Sequence, residues 1–320
     1  MNQRIFACLK GIATGDAIGK QTETLSRAGV LRWYPNGVRG FEGAPGTPIP
    51  RYVGNRKREW RIGETTDDTE RTIAVARAIL QDGDVRHGTV GREMLTCTKC
   101  VHPGLASLWE FHQAGDPARV SERHDGCGAA VRVAPVGILY HSNRFDEIVA
   151  AAREASISTH GGALAIAAAA AVAAAVSAAI DEASPSEIVA IAQRAAAQAE
   201  RQQTGSGDAT FAEALRAIHT DLDQWPRLQP ADVAAKYLPD SPLTIVPLAI
   251  ALGTVMDSAE AAILLATNIG GDSDSVASIA GAIAAARCPE TVHDEWYAVV
   301  DMVNGHQLGF LADALSELRR

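Results

Sequence analysis

Cysteine is scarce in this chain, and its distribution excludes a disulfide framework. The five cysteines of 320 residues (Cys8, Cys97, Cys100, Cys127 and Cys288) are odd in number and scattered, so reduced, buried thiols are expected. Cys97 and Cys100 form a single CxxC pair with His102 close behind, but no second pair supplies the remaining ligands of a zinc site. The strand–helix context of a thioredoxin-like motif is also missing. Basic excess is lacking as well: 29 Lys and Arg face 38 Asp and Glu, for a net charge of −9. That balance argues against nucleic acid as the main partner, since phosphate binding draws on cationic surplus, although it permits a local basic patch. No apolar run reads as a membrane span, because the most apolar stretch, Gly161 to Ile180, is mostly alanine. With no secretory signal at the N-terminus, a cytoplasmic location and no membrane partner are expected.

Strand-like alternation is also scarce. Val131 to Tyr140 is the best candidate for a strand, and Pro135 weakens it. Most of the chain has helical periodicity instead. Apolar positions recur at helical spacing from Thr69 to Gln81, with Gly83 placed as a C-terminal stop. Further helices are predicted over Gly161 to Ile180, Ser186 to Arg201, Phe211 to Thr220, Thr244 to Val255, Ser258 to Ala266, Val276 to Arg287 and Gln307 to Leu318. Ser184-Pro185-Ser186-Glu187 has the composition of a helix start, and Pro247 must fall within a first turn. Gln202 to Asp208 is a polar loop. No repeat or composition shift marks a boundary, so residues 1–320 read as a single all-α domain, a multi-helix bundle.

Leu31 to Gly63 departs from this pattern. Its many prolines and glycines forbid a continuous helix, and it carries Trp33, Tyr34, Phe41, Tyr52 and Trp60 beside Arg56-Lys57-Arg58 and Arg61. A loop this long in a compact domain is commonly functional or disordered. Two readings stand: a cover for an anionic, ring-bearing ligand such as a nucleotide, or a surface excursion or strip against a partner subunit.

Two acidic clusters carry the chemistry. Thr66-Asp67-Asp68 and Asp272-Ser273-Asp274-Ser275 each stand at the mouth of a helical pattern. One Thr or Asp at a helix start is an ordinary cap, and acidic groups there suit the dipole. Capping needs one such residue, and these clusters supply several. Gly270-Gly271 permits a tight bend that lets Asp272 and Asp274 converge. The spacing excludes an EF-hand. Oxygen ligands of this kind select hard divalent cations, so joining the clusters would build a two-metal centre suited to hydrolysis.

Three weaker segments accompany them. Gly11 to Gly19 is glycine-spaced without the Gly-Lys-Ser/Thr end of a phosphate loop; it suits close helix contact, with Asp16 as a cap or ion-pair residue. Glu23 follows, a candidate general base or an ordinary surface carboxylate. Asp125 to Arg132 offers small residues whose backbone N–H groups can wrap phosphate or ribose. In Ser158-Thr159-His160-Gly161-Gly162, His160 is either a ligand contact or a hydrogen-bonded histidine at a helix start.

In order, GIATGDAIG (11–19), Glu23, TTDDT (65–69), GCGAAVRVAPVGILY (126–140), STHGG (158–162) and GGDSDSVASIAGAIAAA (270–286) resemble the ADP-ribosylglycohydrolase family. The resemblance implies an all-α fold with two Mg²⁺ ions, or Mn²⁺, at the base of an ADP-ribose cleft. Thr66, Asp67, Asp68, Asp272, Asp274 and Ser275 would be the metal ligands. Gly126, Cys127, Gly128 and Ala129 would cradle diphosphate and ribose, and His160 would line the same cleft. Glu23 falls where the family has a catalytic or gating glutamate, and Asp67 and Asp272 are the other candidate proton-transfer carboxylates. Cys127 stands where the family often has asparagine, and Ser275 where threonine is commoner. The implied substrate is an ADP-ribosylated protein, arginine-linked. A free nucleoside or nucleotide derivative, a non-catalytic ADP-ribose reader and a metal phosphohydrolase are the competing readings.

Overall fold

Glycines at every fourth position of the first helix let two backbones touch, and that contact organises the site. In the computed structural model, residues 1–99, 105–205, 207 and 209–320 are described; Cys100, His102 and Asp208 lie outside them. The helices of the first half are α1 (Asn2–Gly19), α2 (Arg27–Trp33), α3 (Asp67–Asp82), α4 (His87–Met94), α5 (Ala106–Ala114), α6 (Ala134–Leu139), α7 (Phe145–Ser156) and α8 (Ala163–Ile180). Then come α9 (Pro185–Thr204), α10 (Thr210–Asp223), α11 (Pro230–Tyr237), α12 (Ile245–Val255), α13 (Ala259–Ile269), α14 (Ser273–Arg287), α15 (Asp294–Asn304) and α16 (Leu308–Leu318).

Among the described residues the fold is all helical; one isolated antiparallel bridge joins Pro48 and Arg61. The expected strand at Val131 to Tyr140 is therefore corrected. A 3₁₀ helix covers Cys127–Arg132 and α6 takes Ala134–Leu139. Pro135 falls in the first turn of α6, where its missing N–H costs nothing, so the residue that weakened a strand suits a helix start.

On α1, a Cβ at Gly11 would lie 2.3 Å from Gly281 O, one at Gly15 2.2 Å from Ala277 O, and one at Gly19 2.5 Å from Ser273 O. Residues four apart share one helix face, so this register lays α1 antiparallel along α14 and ends at the first turn of α14. Any side chain on that face would push the helices apart.

Alanine does similar work in α8, which packs against α6, α7, α9 and α14 and is buried from Ala165 to Ile180. By length and composition α8 is apolar enough to cross a membrane, contrary to the sequence expectation, but its surface is covered by neighbouring helices. Ser184 caps α9 in a full capping box with Glu187. Cys8 and Cys97 are buried free thiols, whereas Cys127 and Cys288 are partly exposed.

Leu31 to Gly63 is structured. After α2 ends at Trp33, the chain carries a 3₁₀ turn, Pro50–Tyr52, and gathers Ile49, Tyr52, Trp60 and Ile62 into a small apolar cluster of its own. Trp33 is exposed, so the aromatics are not one continuous face.

A candidate metal centre at two helix mouths

The α1–α14 contact brings the second acidic cluster to the end of α1, and α3 arrives beside it. Thr66 is the N-cap of α3, its hydroxyl accepting from Asp68 N at 3.1 Å. Asp67 and Asp68 fill the first helical turn. The helix is held in place by Asp16, which is fully buried near the end of α1. The Asp16 carboxylate accepts from Thr66 N at 2.9 Å and Thr69 N at 3.1 Å, and also from the Thr69 hydroxyl. Asp16 thus anchors the α3 mouth, a more specific role than a local cap. Burial raises its pKa, and the hydrogen bonds from Thr69 and Thr66 offset part of that rise.

Asp272 is the N-cap position of α14, and Ser273, Asp274 and Ser275 form its first turn. Gly270 and Gly271 both take positive φ, 86° and 68°, to make the turn into this helix. The two clusters meet directly: Ser275 Oγ donates to Asp68 Oδ2 at 2.9 Å. Cys127 Sγ donates to Asp272 Oδ2 at 3.2 Å, which sets the glycine-rich segment against the same carboxylate. Asp240 also belongs to this neighbourhood, accepting from Asp272 N at 2.8 Å. Nothing in the sequence around Asp240 marks it.

Two cations sit among these carboxylates. Arg71 donates to Asp68 Oδ1 at 2.8 Å and pairs with Asp67, while its Nε donates to Asp67 O at 3.0 Å. Lys20 Nζ pairs with Glu23 and lies 3.6 Å from Asp274 Oδ2. Arg71 was findable from helical spacing, three and four residues after its partners. The Lys20–Asp274 pair was not, because the two residues are far apart in the chain.

The field at the centre follows from burial and like charge. Desolvation, then the neighbouring Asp67 charge, pushes Asp68 well above the ordinary carboxylate range. Desolvation and the Glu23 charge do the same to Asp274, and desolvation raises Asp272. Burial alone would lower the Lys20 ammonium, but Asp274 and Glu23 outweigh it and hold its pKa above normal. The centre is therefore short of positive charge even with both cations present.

Glu23 is partly exposed at the rim. The Tyr52 hydroxyl donates to its Oε2 at 3.3 Å, so the 31–63 segment covers Glu23. His160 is buried on the far side, with Nδ1 2.7 Å from Thr159 Oγ1 and Nε2 3.3 Å from Ser107 Oγ. Burial, then the charges of Arg132 and Arg71, lowers the His160 pKa well below normal and keeps the ring neutral. Arg132 is fully buried and donates to Ala155 O, Ser156 O and Gly128 O, tying the Gly126 to Ala129 turn to the His160 turn. A Cβ at Gly128 would lie 2.7 Å from His160 Cε1 and 3.0 Å from Arg71 Nη1, so any side chain there would crowd the imidazole and the guanidinium.

All the predicted site residues thus gather in one region: the α3 and α14 mouths at its base, Glu23 at one rim, and Gly126 to Ala129 with His160 at the other. Among the described residues no three carboxylate, imidazole or thiol groups form a ready cage. The donors nevertheless fit a hard cation in type. They are carboxylate and hydroxyl oxygens, mostly buried, and the carboxylates outnumber the two cations beside them.

The sequence profile of a family described as ADP-ribosylglycohydrolase matches residues 1–320. An uncharacterized protein of Archaeoglobus fulgidus is 29% identical over 300 residues, covering 90% of this chain and 88% of that protein. The uncharacterized protein YegU of Escherichia coli is 28% identical over 334 residues, covering 99% and 98%. A solved structure titled ADP-ribosylglycohydrolase-related protein complex shares the fold with a TM-score of 0.73 at 22% identity, covering 100% of this chain and 99% of that one.

Proposed function

Since the chain belongs to the ADP-ribosylglycohydrolase family, we propose that it is a Mg²⁺-dependent hydrolase that cleaves the glycosidic bond of an arginine-linked ADP-ribosyl group and releases ADP-ribose. The observation that carries this reading is the 2.9 Å hydrogen bond from Ser275 to Asp68, which joins the two acidic helix mouths into one oxygen-rich centre. Thr66, Asp67, Asp68, Asp272, Asp274 and Ser275 would hold Mg²⁺, with Mn²⁺ an acceptable substitute. Bound there, the cation would supply the charge that orients ribose hydroxyls and acidifies a water.

The chain's own residues supply the rest. Glu23, steadied by Tyr52 and Lys20 at the rim, would take the proton of the attacking water or gate its approach. Asp67 and Asp272 are the alternative proton acceptors. His160, neutral and fixed by Thr159, offers a hydrogen bond to ribose or phosphate without adding charge. The turn from Gly126 through Cys127 and Gly128 to Ala129 would cradle the diphosphate, with Gly128 leaving the close approach open.

A second reading, hydrolysis of a free nucleoside or nucleotide derivative, draws support from the 31–63 segment. Its Tyr52 and Trp60 lie against Glu23 and Lys20, a cover that suits a small ligand. One experiment separates the two. Arginine-linked ADP-ribosyl peptide, serine-linked peptide and free nucleosides are offered with Mg²⁺, and products are identified by mass spectrometry. ADP-ribose from the arginine-linked peptide is expected. Chelator should abolish its release, and Asp272→Ala should slow it ~10²-fold or more. Unchanged turnover after either treatment would refute the metal-dependent reading.

A further inference from the structure

The 31–63 segment sends one arm outward from the rim of the centre. Its two stems are seated on Glu23 and Lys20. On one stem Arg51 donates to the Glu23 carbonyl and the Tyr52 hydroxyl to Glu23 Oε2; on the other, the Trp60 ring centre lies 4.4 Å from the Lys20 ammonium. Ile49 N donates to Trp60 O and Ile62 N to Thr47 O, each at 2.8 Å, which ties the stems to each other. The turn between them is held from within: Gly54 N donates to Glu59 Oε1 at 2.6 Å, and Lys57 N to Asn55 Oδ1 at 2.9 Å. Tyr52 and Trp60 are buried and the tip is not, with Val53 66% exposed and Arg56 and Lys57 open to solvent.

Charge singles this arm out. Residues 51–61 carry five basic groups against one acidic, in a chain whose net charge is −9. Arg51 is turned inward to backbone carbonyls, and Arg58 pairs with Glu64 and lies over Trp60. Arg56, Lys57 and Arg61 remain exposed on the arm, against Glu59 alone. Among the described residues Arg56 and Lys57 enter no ion pair.

The position of the arm limits what it can meet. Gly126 to Ala129, the turn suited to diphosphate, stands with His160 at the opposite rim, where Cys127 touches Asp272. A ligand whose ribose lies over the centre and whose diphosphate lies toward that turn directs its other end, the acceptor, to Glu23 and the arm. Exposed cations held on a rigid support there favour an acceptor bearing carboxylates, through steering and selectivity more than through raw affinity.

We propose that the 51–61 arm docks the acceptor side of the substrate and selects acidic chain: aspartates or glutamates flanking the ADP-ribosylated residue meet Arg56, Lys57 and Arg61. The proposal rests on the ADP-ribosyl-protein reading above and names the kind of acceptor that it takes.

Peptide binding tests it. Two fluorescent arginine-ADP-ribosylated peptides, identical except for Asp or Asn at the flanking positions, are titrated with full-length protein in the presence of chelator, and anisotropy reports affinity without turnover. Wild type is expected to bind the Asp-flanked peptide about 5-fold more tightly at low ionic strength, a preference that shrinks as salt is added. The double variant Arg56→Gln/Lys57→Gln should lose the preference, and Arg56→Glu/Lys57→Glu should reverse it. Equal affinity in wild type, binding of neither peptide, or an unchanged preference in the charge-reversed variant would overturn the proposal. Mg²⁺ is then added to the same samples and release of ADP-ribose is followed. No release from either peptide, with the binding preference intact, would count against the hydrolase reading and leave the docking surface standing.

Discussion

Helices α8 and α14 are built alike and begin differently. Both are buried helices of small residues, and each has a glycine from a neighbour pressed against its backbone: Gly137 against Ala173 O and Gly15 against Ala277 O, where a Cβ would lie 2.2 Å away in each case. The mouth of α8 is served by one exposed carboxylate, Asp125, which accepts from Leu164 N at 2.9 Å and Ala165 N at 3.2 Å. The mouth of α14 has Asp272, Asp274 and Ser275, meets Asp68, and has two cations nearby. Capping a helix takes one acidic group in water. The buried carboxylates at α14 go far beyond that need, and their mutual repulsion is a cost to folding that a bound cation can relieve.

The largest expected effect comes from forcing a side chain into each close approach. Gly15→Val and Gly137→Val should each destabilise by about 1–3 kcal/mol, since backbone atoms cannot move aside as side chains do. Thermal unfolding checks both. Only Gly15→Val should also weaken Mn²⁺ binding, because it alone shifts the α14 mouth relative to Asp16 and α3; equal metal affinity in the two variants would break the comparison.

A smaller effect is expected at the single cap. Asp125→Ala should cost about 1 kcal/mol in denaturant unfolding and be rescued by Asn, as an ordinary N-terminal acceptor would be. Loss without rescue by Asn would mean that Asp125 is more than a cap.

The smallest effect distinguishes the mouths by pH. Asp68 has a folded pKa above its ordinary 3.8, raised by burial and by Asp67. A raised folded pKa favours folding while the group is protonated, and that contribution is lost as pH rises through the folded value. In metal-free protein, Asp68→Asn should therefore match wild type in melting temperature below pH about 4 and exceed it increasingly as pH rises. Added Mg²⁺ should reverse the order by stabilising wild type alone. A constant difference across pH would show that Asp68 carries no such strain.

Much of this was readable before folding. The helix from Asp67, the alanine-rich α8 and the capping box at Ser184 follow from spacing and caps, which act within a few residues. The excess of acidic groups at two helix starts was visible for the same reason. Val131 to Tyr140 was misread because a short apolar run with one proline looks alike as a weak strand or a helix start, and only packing against α8 separates them. Asp240 and the Lys20–Asp274 pair left no mark, since their partners are fixed by distant parts of the chain.

The sequence alone determined many of the helices, the candidate oxygen donors and the order of motifs that marks the family, because these depend on local periodicity and on the chemistry of single residues. Tertiary structure decided which charges meet. The glycine face of α1 sets α14 in register, Asp16 seats α3 beside it, and together they place Ser275 against Asp68 and Lys20 near Asp274. Charges interact through space at distances of a few ångströms, and no spacing along the chain encodes that proximity.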